Sequence, residues 1–213
     1  QVEKRLVRKD GTAVYCRLIA TAVRNSGGVP VYTLTLVENV TEQKQAEETL
    51  AKLSRALEQS PASVVITDTS GRIEYVNPKF VELTGYSLEE IRGQNPRLLK
   101  SGNRTREEYH EMWETILSGR EWRGEFQNRK KNGELYWESG SISPIRATDG
   151  TITHFLAVKE DITLRKKAEE ELRIQRAYFH QLFENSPEAV VIVDGEERVV
   201  DANRTFVSLF QYS

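Results

Sequence analysis

Cysteine and methionine are nearly missing from this chain of 213 residues: Cys16 and Met112 are the only ones. One cysteine excludes an intrachain disulfide framework and any zinc centre built on cysteine pairs, and it fits a reducing compartment. Long hydrophobic runs are lacking as well. None approaches the ~18 residues of a membrane-spanning helix. An excess of either charge sign is absent: Lys and Arg total 30 against 32 for Asp and Glu, for a net charge of −2. That balance withholds the basic footprint of a nucleic-acid binder. No Walker A loop, G-x-S-x-G elbow or H-E-x-x-H zinc helix occurs, so neither an enzyme nor a metal site is expected. What is present, 38% hydrophobic and 29% charged residues, describes a soluble globular chain with much solvated helix surface, and the expected location is the cytoplasm.

The chain also repeats itself. Ser60-Pro61 through Ile66-Thr67-Asp68 recurs as Ser186-Pro187 through Ile192-Val193-Asp194, and the match runs on through Asn77/Asn203, Phe80/Phe206 and Tyr86/Tyr212, an offset of 126. A second match has an offset of 122: Lys9-Asp10-Gly11 with Lys131-Asn132-Gly133, then Glu38, Thr41 and Leu50 with Glu160, Thr163 and Leu172. One unit of roughly 120 residues is implied. The expected organisation is the second half of a unit at 1–42, a linker helix at 43–59, a complete unit at 60–163, a second linker helix at 164–186 and the first part of a third unit at 187–213. On this reading the chain begins and ends inside units.

Both linkers carry heptad-spaced apolar residues: Ala46, Leu50, Leu53, Leu57 in the first, and Ala168, Leu172, Phe179, Leu182 in the second. Such stripes suit a parallel helix pair between two chains, or packing of each helix onto its own domain. Thr41 and Thr163 are expected to N-cap these helices. Within the complete unit, Ser63–Asp68 and Arg72–Val76 read as a hairpin, and Asn77-Pro78 opens a short helix. Ser87-x-x-Glu90 and Thr105-x-x-Glu108 are capping boxes. The second opens a helix whose apolar face is Tyr109, Met112, Trp113, Ile116 and Leu117. Strands follow near Trp122–Arg129, Glu134–Ser143 and Thr151–Glu160, with Asn132-Gly133 as a hairpin turn. The fold class is α+β: an antiparallel five-stranded sheet with helices on one face.

These residues resemble PAS domains with their C-terminal PAC segment. The likeness rests on Ser60-Pro61…Asp68, Tyr75-Val-Asn77, Leu83-Thr-Gly85-Tyr86, Asn95-Pro-Arg-Leu-Leu-Lys-Ser-Gly102, Trp122-Arg-Gly-Glu125, Tyr136-Trp137 and Asp161-Ile-Thr163. It implies a pocket between the helices and the sheet. The subtype is similar to PAS domains of bacterial sensory kinases, diguanylate cyclases and the flavin redox sensor of nitrogen-fixation control. In the light-sensing flavin branch a cysteine follows the residue matching Asn95. Here it is Pro96, which excludes adduct photochemistry in the complete unit. Asn128 matches one flavin-pairing amide of that branch, while the other two positions hold Glu138 and Lys159. Those positions in the first copy are Cys16 and Val37, so both charges are absent together. The expectation is a cross-strand Glu138–Lys159 salt bridge that partly fills the pocket; the alternative is that both reach solvent at the sheet edge. Trp113 and Asn128 match the FAD-binding redox-sensor branch, and each also has a plain reading, as core and as backbone partner. The candidate pocket set is thus Asn95, Trp113, Asn128, Glu138 and Lys159. An empty pocket is the first expectation for cofactors, FAD the second and haem the last, because His110 lies off the apolar face of its helix.

The resemblance implies a sensory relay. Asp161 and Thr163 join the last strand to the linker helix and are the expected coupling point, with Arg129, Lys130 or Lys131 as basic partners of Asp161. The implied partners are a second copy through the linker helices, and further PAS copies and an output domain in the same chain. A ligand-free dimerisation spacer is the competing reading.

Overall fold

The computed structural model of the protein describes residues 1–211. It divides into two compact units, residues 1–60 with 77–79, and residues 61–76 with 80 onward.

In the first unit, β1 (Val2–Val7), β2 (Ala13–Arg24) and β3 (Pro30–Asn39) form an antiparallel sheet in chain order, followed by helix α1 (Thr41–Glu58). Val14, Cys16 and Val40 are buried, whereas β3 is exposed along its whole length. α1 buries no residue at all.

The second unit begins with β4 (Ser63–Asp68) and β5 (Ile73–Val76). Helix α2 (Pro78–Thr84) has its first two residues in the other unit. Then come α3 (Leu88–Ile91), a 3-10 turn at Pro96–Leu99 and α4 (Arg106–Leu117). Strands β6 (Trp122–Arg129), β7 (Leu135–Arg146) and β8 (Ile152–Asp161) lead into α5 (Thr163–Glu184). A short hairpin, β9 (Val191–Val193) and β10 (Val199–Ala202), and helix α6 (Arg204–Phe210) complete it. The five-stranded sheet is antiparallel throughout with strand order β5-β4-β8-β7-β6, so β8, the last of its strands in sequence, pairs with β4, the first.

Local chemistry accounts for most boundaries. Ser87 and Thr105 each accept from the backbone N–H three residues on, and Glu90 and Glu108 reach back to complete both capping boxes. Phe80, Ile91 and Leu99 pack on Val65, Ile73 and Val76. Met112 and Ile116 pack on Trp122, Phe126 and Phe155. Leu117 departs from the expected apolar face and is exposed. It lies 100° round the helix from Ile116, at the edge of the stripe where α4 ends.

The expected threonine caps are corrected. α1 and α5 start at Thr41 and Thr163 themselves; the preceding Val40 and Ile162 are the cap residues and give no side-chain cap. The heptad stripes are not covered by the described residues: Leu50, Leu53, Leu57, Leu172, Phe179 and Leu182 are all exposed, and α5 buries only Phe183. No helix among the described residues is long and apolar enough to cross a membrane.

Candidate functional site

Strand alternation places Val65 and Thr67 of β4, Phe126 and Asn128 of β6, Ile142 of β7, and Phe155, Ala157 and Lys159 of β8 on one face of the sheet. Opposite them stand Asn95, Leu99, Tyr109, Met112, Trp113 and Ile116. Between lies a cavity of about 260 Å³. That is slightly below the 300–1,000 Å³ usual for small-molecule sites. Gly71 lies at one end in a turn with φ +76°. A Cβ there would sit 2.8 Å from Asn95 Nδ2 and 2.9 Å from Trp113 Cη2, so glycine lets both side chains close in.

Four of the five expected pocket residues line this cavity: Asn95, Trp113, Asn128 and Lys159. Trp113 also has its plain role, meeting Phe155 edge to face at 5.8 Å. Asn95 Oδ1 accepts from the Arg97 backbone N–H and so starts the 3-10 turn. Glu138 is the exception, a correction to the expected set: its carboxylate does not reach the cavity. Lys159 Nζ stands 3.1 Å from Glu138 Oε2, and Asn128 Nδ2 donates to the same oxygen at 2.7 Å. Glu138 is fully buried and Lys159 is 8% exposed. The pair is diagonal rather than directly cross-strand, because Glu138 faces Asp161 and Lys159 faces Gly140. The Lys159 stem occupies the space a Gly140 side chain would need, with Cγ 2.6 Å from the position of a Cβ. In the first copy, offset by 122, Glu138, Gly140 and Lys159 correspond to Cys16, Leu18 and Val37. Gly140 escaped the sequence reading, although an isolated glycine inside a strand signals close approach.

Solvation sets the electrostatics. Lys159 also lies over the Phe126 ring, 4.8 Å from its centroid. Glu138 Oε1 and the Tyr136 hydroxyl are buried without a hydrogen-bond partner among the described residues. Burial, reinforced by the Glu138 charge, pushes the Tyr136 phenol far above its ordinary range. Arg97 and Lys100 stand at the rim. Lys100 Nζ lies over the Tyr109 ring, and desolvation followed by Arg97 repulsion lowers its pKa. His110 pairs with Glu114 on the exposed side of α4. No cluster of His, Cys, Asp and Glu suited to a metal occurs among the described residues.

The exit from the sheet is built from four residues, Trp137, Asp161, Ile162 and Thr163. Asp161 Oδ1 accepts from the Thr163 N–H at 2.8 Å and from its hydroxyl. Thr163 Oγ1 accepts from the Trp137 N–H at 2.9 Å, and the Ile162 N–H donates to the Trp137 carbonyl. Asp161, not Thr163, therefore supplies the capping acceptor. The threonine hydroxyl is spent on β7. In the other unit Asn39, Thr41 and Tyr15 repeat the pattern. The expected basic partners of Asp161 bind elsewhere: Arg129 to the Gly133 carbonyl, Lys130 to Glu134 and Lys131 to Glu90. Asp161 is already satisfied locally. Arg165 and Lys166 in the first turn of α5 pair with Glu125 of β6.

A five-stranded antiparallel sheet with helices on one face, a small cavity between them and a helix leaving β8 define an α+β sensory fold. A PAS domain family model matches residues 1–42 and 61–164, and a second PAS domain model matches residues 177–213. The chain belongs to the PAS domain family, a family of sensory modules. It is similar to the nitrogen fixation regulatory protein of Klebsiella oxytoca, 39% identical over 150 residues that cover 70% of this chain and 30% of that protein. It is also similar to blue-light-activated histidine kinase 1 of Erythrobacter litoralis, 34% identical over 113 residues, 51% of this chain and 31% of that one. The aerotaxis receptor of Escherichia coli K12 is 30% identical over 97 residues, 46% of this chain and 19% of that one. The chain thus spans less than a third of the length of each. Among solved structures, an RNA-binding light-oxygen-voltage receptor shares the fold with a TM-score of 0.56 and 22% identity, over 78% of this chain and 44% of that one.

Proposed function

We propose that this chain is a signal-relay segment of a larger cytoplasmic signalling protein. A change in or around the 61–163 cavity passes through β7 and β8 to α5, and from there to an output domain elsewhere in the protein. The observation that carries this reading is the Thr163 hydroxyl. It is the first residue of α5, and it accepts from Trp137, the neighbour of Glu138 on β7. Lys159 lies two residues before Asp161 on the adjoining strand. The ion pair beside the cavity and the start of the outgoing helix are therefore held by the same two strands. The relatives support a signalling role, and one of them is a histidine kinase by name. The uncovered apolar stripes of α1 and α5 support pairing of linker helices between two copies.

Replacing Asp161 with Ala or Thr163 with Val in the full-length protein tests the relay. Output should become insensitive to the stimulus while the domain stays folded. Normal stimulus response in both variants would remove the relay. A second reading, an unliganded relay driven by neighbouring copies, is favoured by the cavity volume and by the buried Glu138–Lys159 pair. A flavin is the third. The visible spectrum of the purified protein separates them: a band near ~450 nm supports flavin, and a colourless protein supports the unliganded or colourless-ligand readings.

A further inference from the structure

The far end of α5 is gripped as firmly as its start. A helix leaves its last four carbonyls without intrahelical partners. Near the end of α5, Asn203 Nδ2 donates to the Phe183 carbonyl at 3.0 Å and to the Glu188 carbonyl at 2.9 Å. Its Oδ1 accepts from the Val190 N–H and, as the cap of α6, from the Phe206 N–H. Asn203 is fully buried. One amide thereby joins the end of α5, the lead into β9 and the start of α6. Its neighbours add to the grip: the Arg204 N–H donates to the Glu184 carboxylate, and the Thr205 hydroxyl donates to the Ser186 carbonyl.

The other linker shows the same bond independently. Asn77, also fully buried, donates from Nδ2 to the Leu57 carbonyl at 3.1 Å. Donor and acceptor are both displaced by 126 residues from the Asn203–Phe183 pair. Asn77–Lys79 belong to the same compact unit as α1. The segment after the first hairpin is thus grouped with the incoming helix. Sequence alone marks Asn77 only as the residue before a helix-starting proline.

We infer that Asn203 is an entry latch that fixes linker helix α5 to the hairpin it leads into; Asn77 makes the equivalent bond to α1 within its own compact unit. α5 is then a strut held at both ends, by Thr163 at its start and Asn203 at its finish. Its 22 residues span about 33 Å at ~1.5 Å per residue. A rod pinned at both ends carries a rotation or shift of β7 and β8 to the next hairpin instead of dissipating it in a frayed turn. The latch is a structural claim; its use in signalling rests on the relay reading above.

Asparagine both donates and accepts, which allows the two roles to be separated. Asn203→Asp keeps the accepting oxygen and a good helix cap but loses the donors to Phe183 and Glu188. Spin labels at Gln175→Cys and Glu196→Cys, in a Cys16→Ala background of the whole chain, report the α5–hairpin distance distribution. The expected result for Asn203→Asp is a roughly twofold broadening, with α6 helicity kept by circular dichroism, because local opening concentrates where few bonds remain. Labels at Glu134→Cys and Glu171→Cys, spanning the start of α5, should be unaffected. Asn203→Ala, which also loses the cap, should broaden the first distribution at least as much. An Asn203→Asp distribution as narrow as the wild type would overturn the latch. If it broadens while output of the full-length protein keeps its stimulus response, the latch stands and the relay reading fails.

Discussion

Lys159→Met is the perturbation that weighs the buried pair. In the native domain, Glu138 Oε2 is compensated by Lys159 at 3.1 Å and Asn128 at 2.7 Å, while Oε1 has no partner among the described residues. Methionine keeps the length of the stem beside Gly140 and over Phe126 but removes the charge. A fully buried carboxylate is then left with one neutral donor. Breaking a buried pair from one side costs about 3–5 kcal/mol. Glu138→Leu should cost less, because Lys159 borders the cavity and its ammonium can be solvated there. The double variant Glu138→Leu/Lys159→Met removes both charges and should return to within about 1–2 kcal/mol of the wild type, since apolar replacement of a buried pair is often neutral. Urea unfolding of the four proteins, followed by tryptophan fluorescence, gives the coupling energy directly. Strict additivity of the two single changes would show that Glu138 and Lys159 are not coupled, as would a Lys159→Met cost under about 1 kcal/mol.

Other outcomes follow from the same geometry. Gly140→Ala should destabilise by about 1–3 kcal/mol by urea unfolding, because its Cβ would lie 2.4 Å from the Val158 carbonyl oxygen, which is backbone and has little room to yield. Thr163→Val leaves the Trp137 N–H without its acceptor at near-constant side-chain shape and should cost about 1–2 kcal/mol; hydrogen exchange at Trp137 should accelerate, and an unchanged rate would argue against the bond. The Tyr136 phenol is raised by burial, so above the ordinary tyrosine range the unfolded chain loses a proton that the folded one keeps. Stability present below about pH 10 should therefore fall as pH rises, by up to about 1.4 kcal/mol per unit for this one group, and Tyr136→Phe should flatten that slope in urea melts.

The sequence showed most where the signal is local. Ser87/Glu90, Thr105/Glu108 and Asn132-Gly133 act within three residues of themselves, and the structure uses them as expected. The pairing of β4 with β8 joins residues about ninety apart and was not read from the sequence, because periodicity within a strand does not name its partner. Thr41 and Thr163 misled because a threonine before an apolar stripe is a sound cap signal. The acceptor two residues earlier, Asn39 or Asp161, fills that role and frees the hydroxyl for the neighbouring strand. Glu138 and Lys159 stood out because they replace two amides of the flavin branch that the sequence resembles, and their pairing was suggested by the other copy, which lacks both charges. Their diagonal register, the need for Gly140 and the withdrawal of Glu138 from the cavity depend on strand alignment, which composition does not encode. The apolar stripe of α5 was legible as a pattern, but not its exposure among the described residues.

The proposed relay requires that the state of the cavity wall reach α5 through β7 and β8. The direct measurement is the distance distribution between spin labels at Glu134→Cys and Glu171→Cys, with and without Lys159→Met, at a temperature where both proteins are folded. A shifted or broadened distribution is expected in the variant, lost when Thr163→Val is added. A distribution unchanged by Lys159→Met would contradict it.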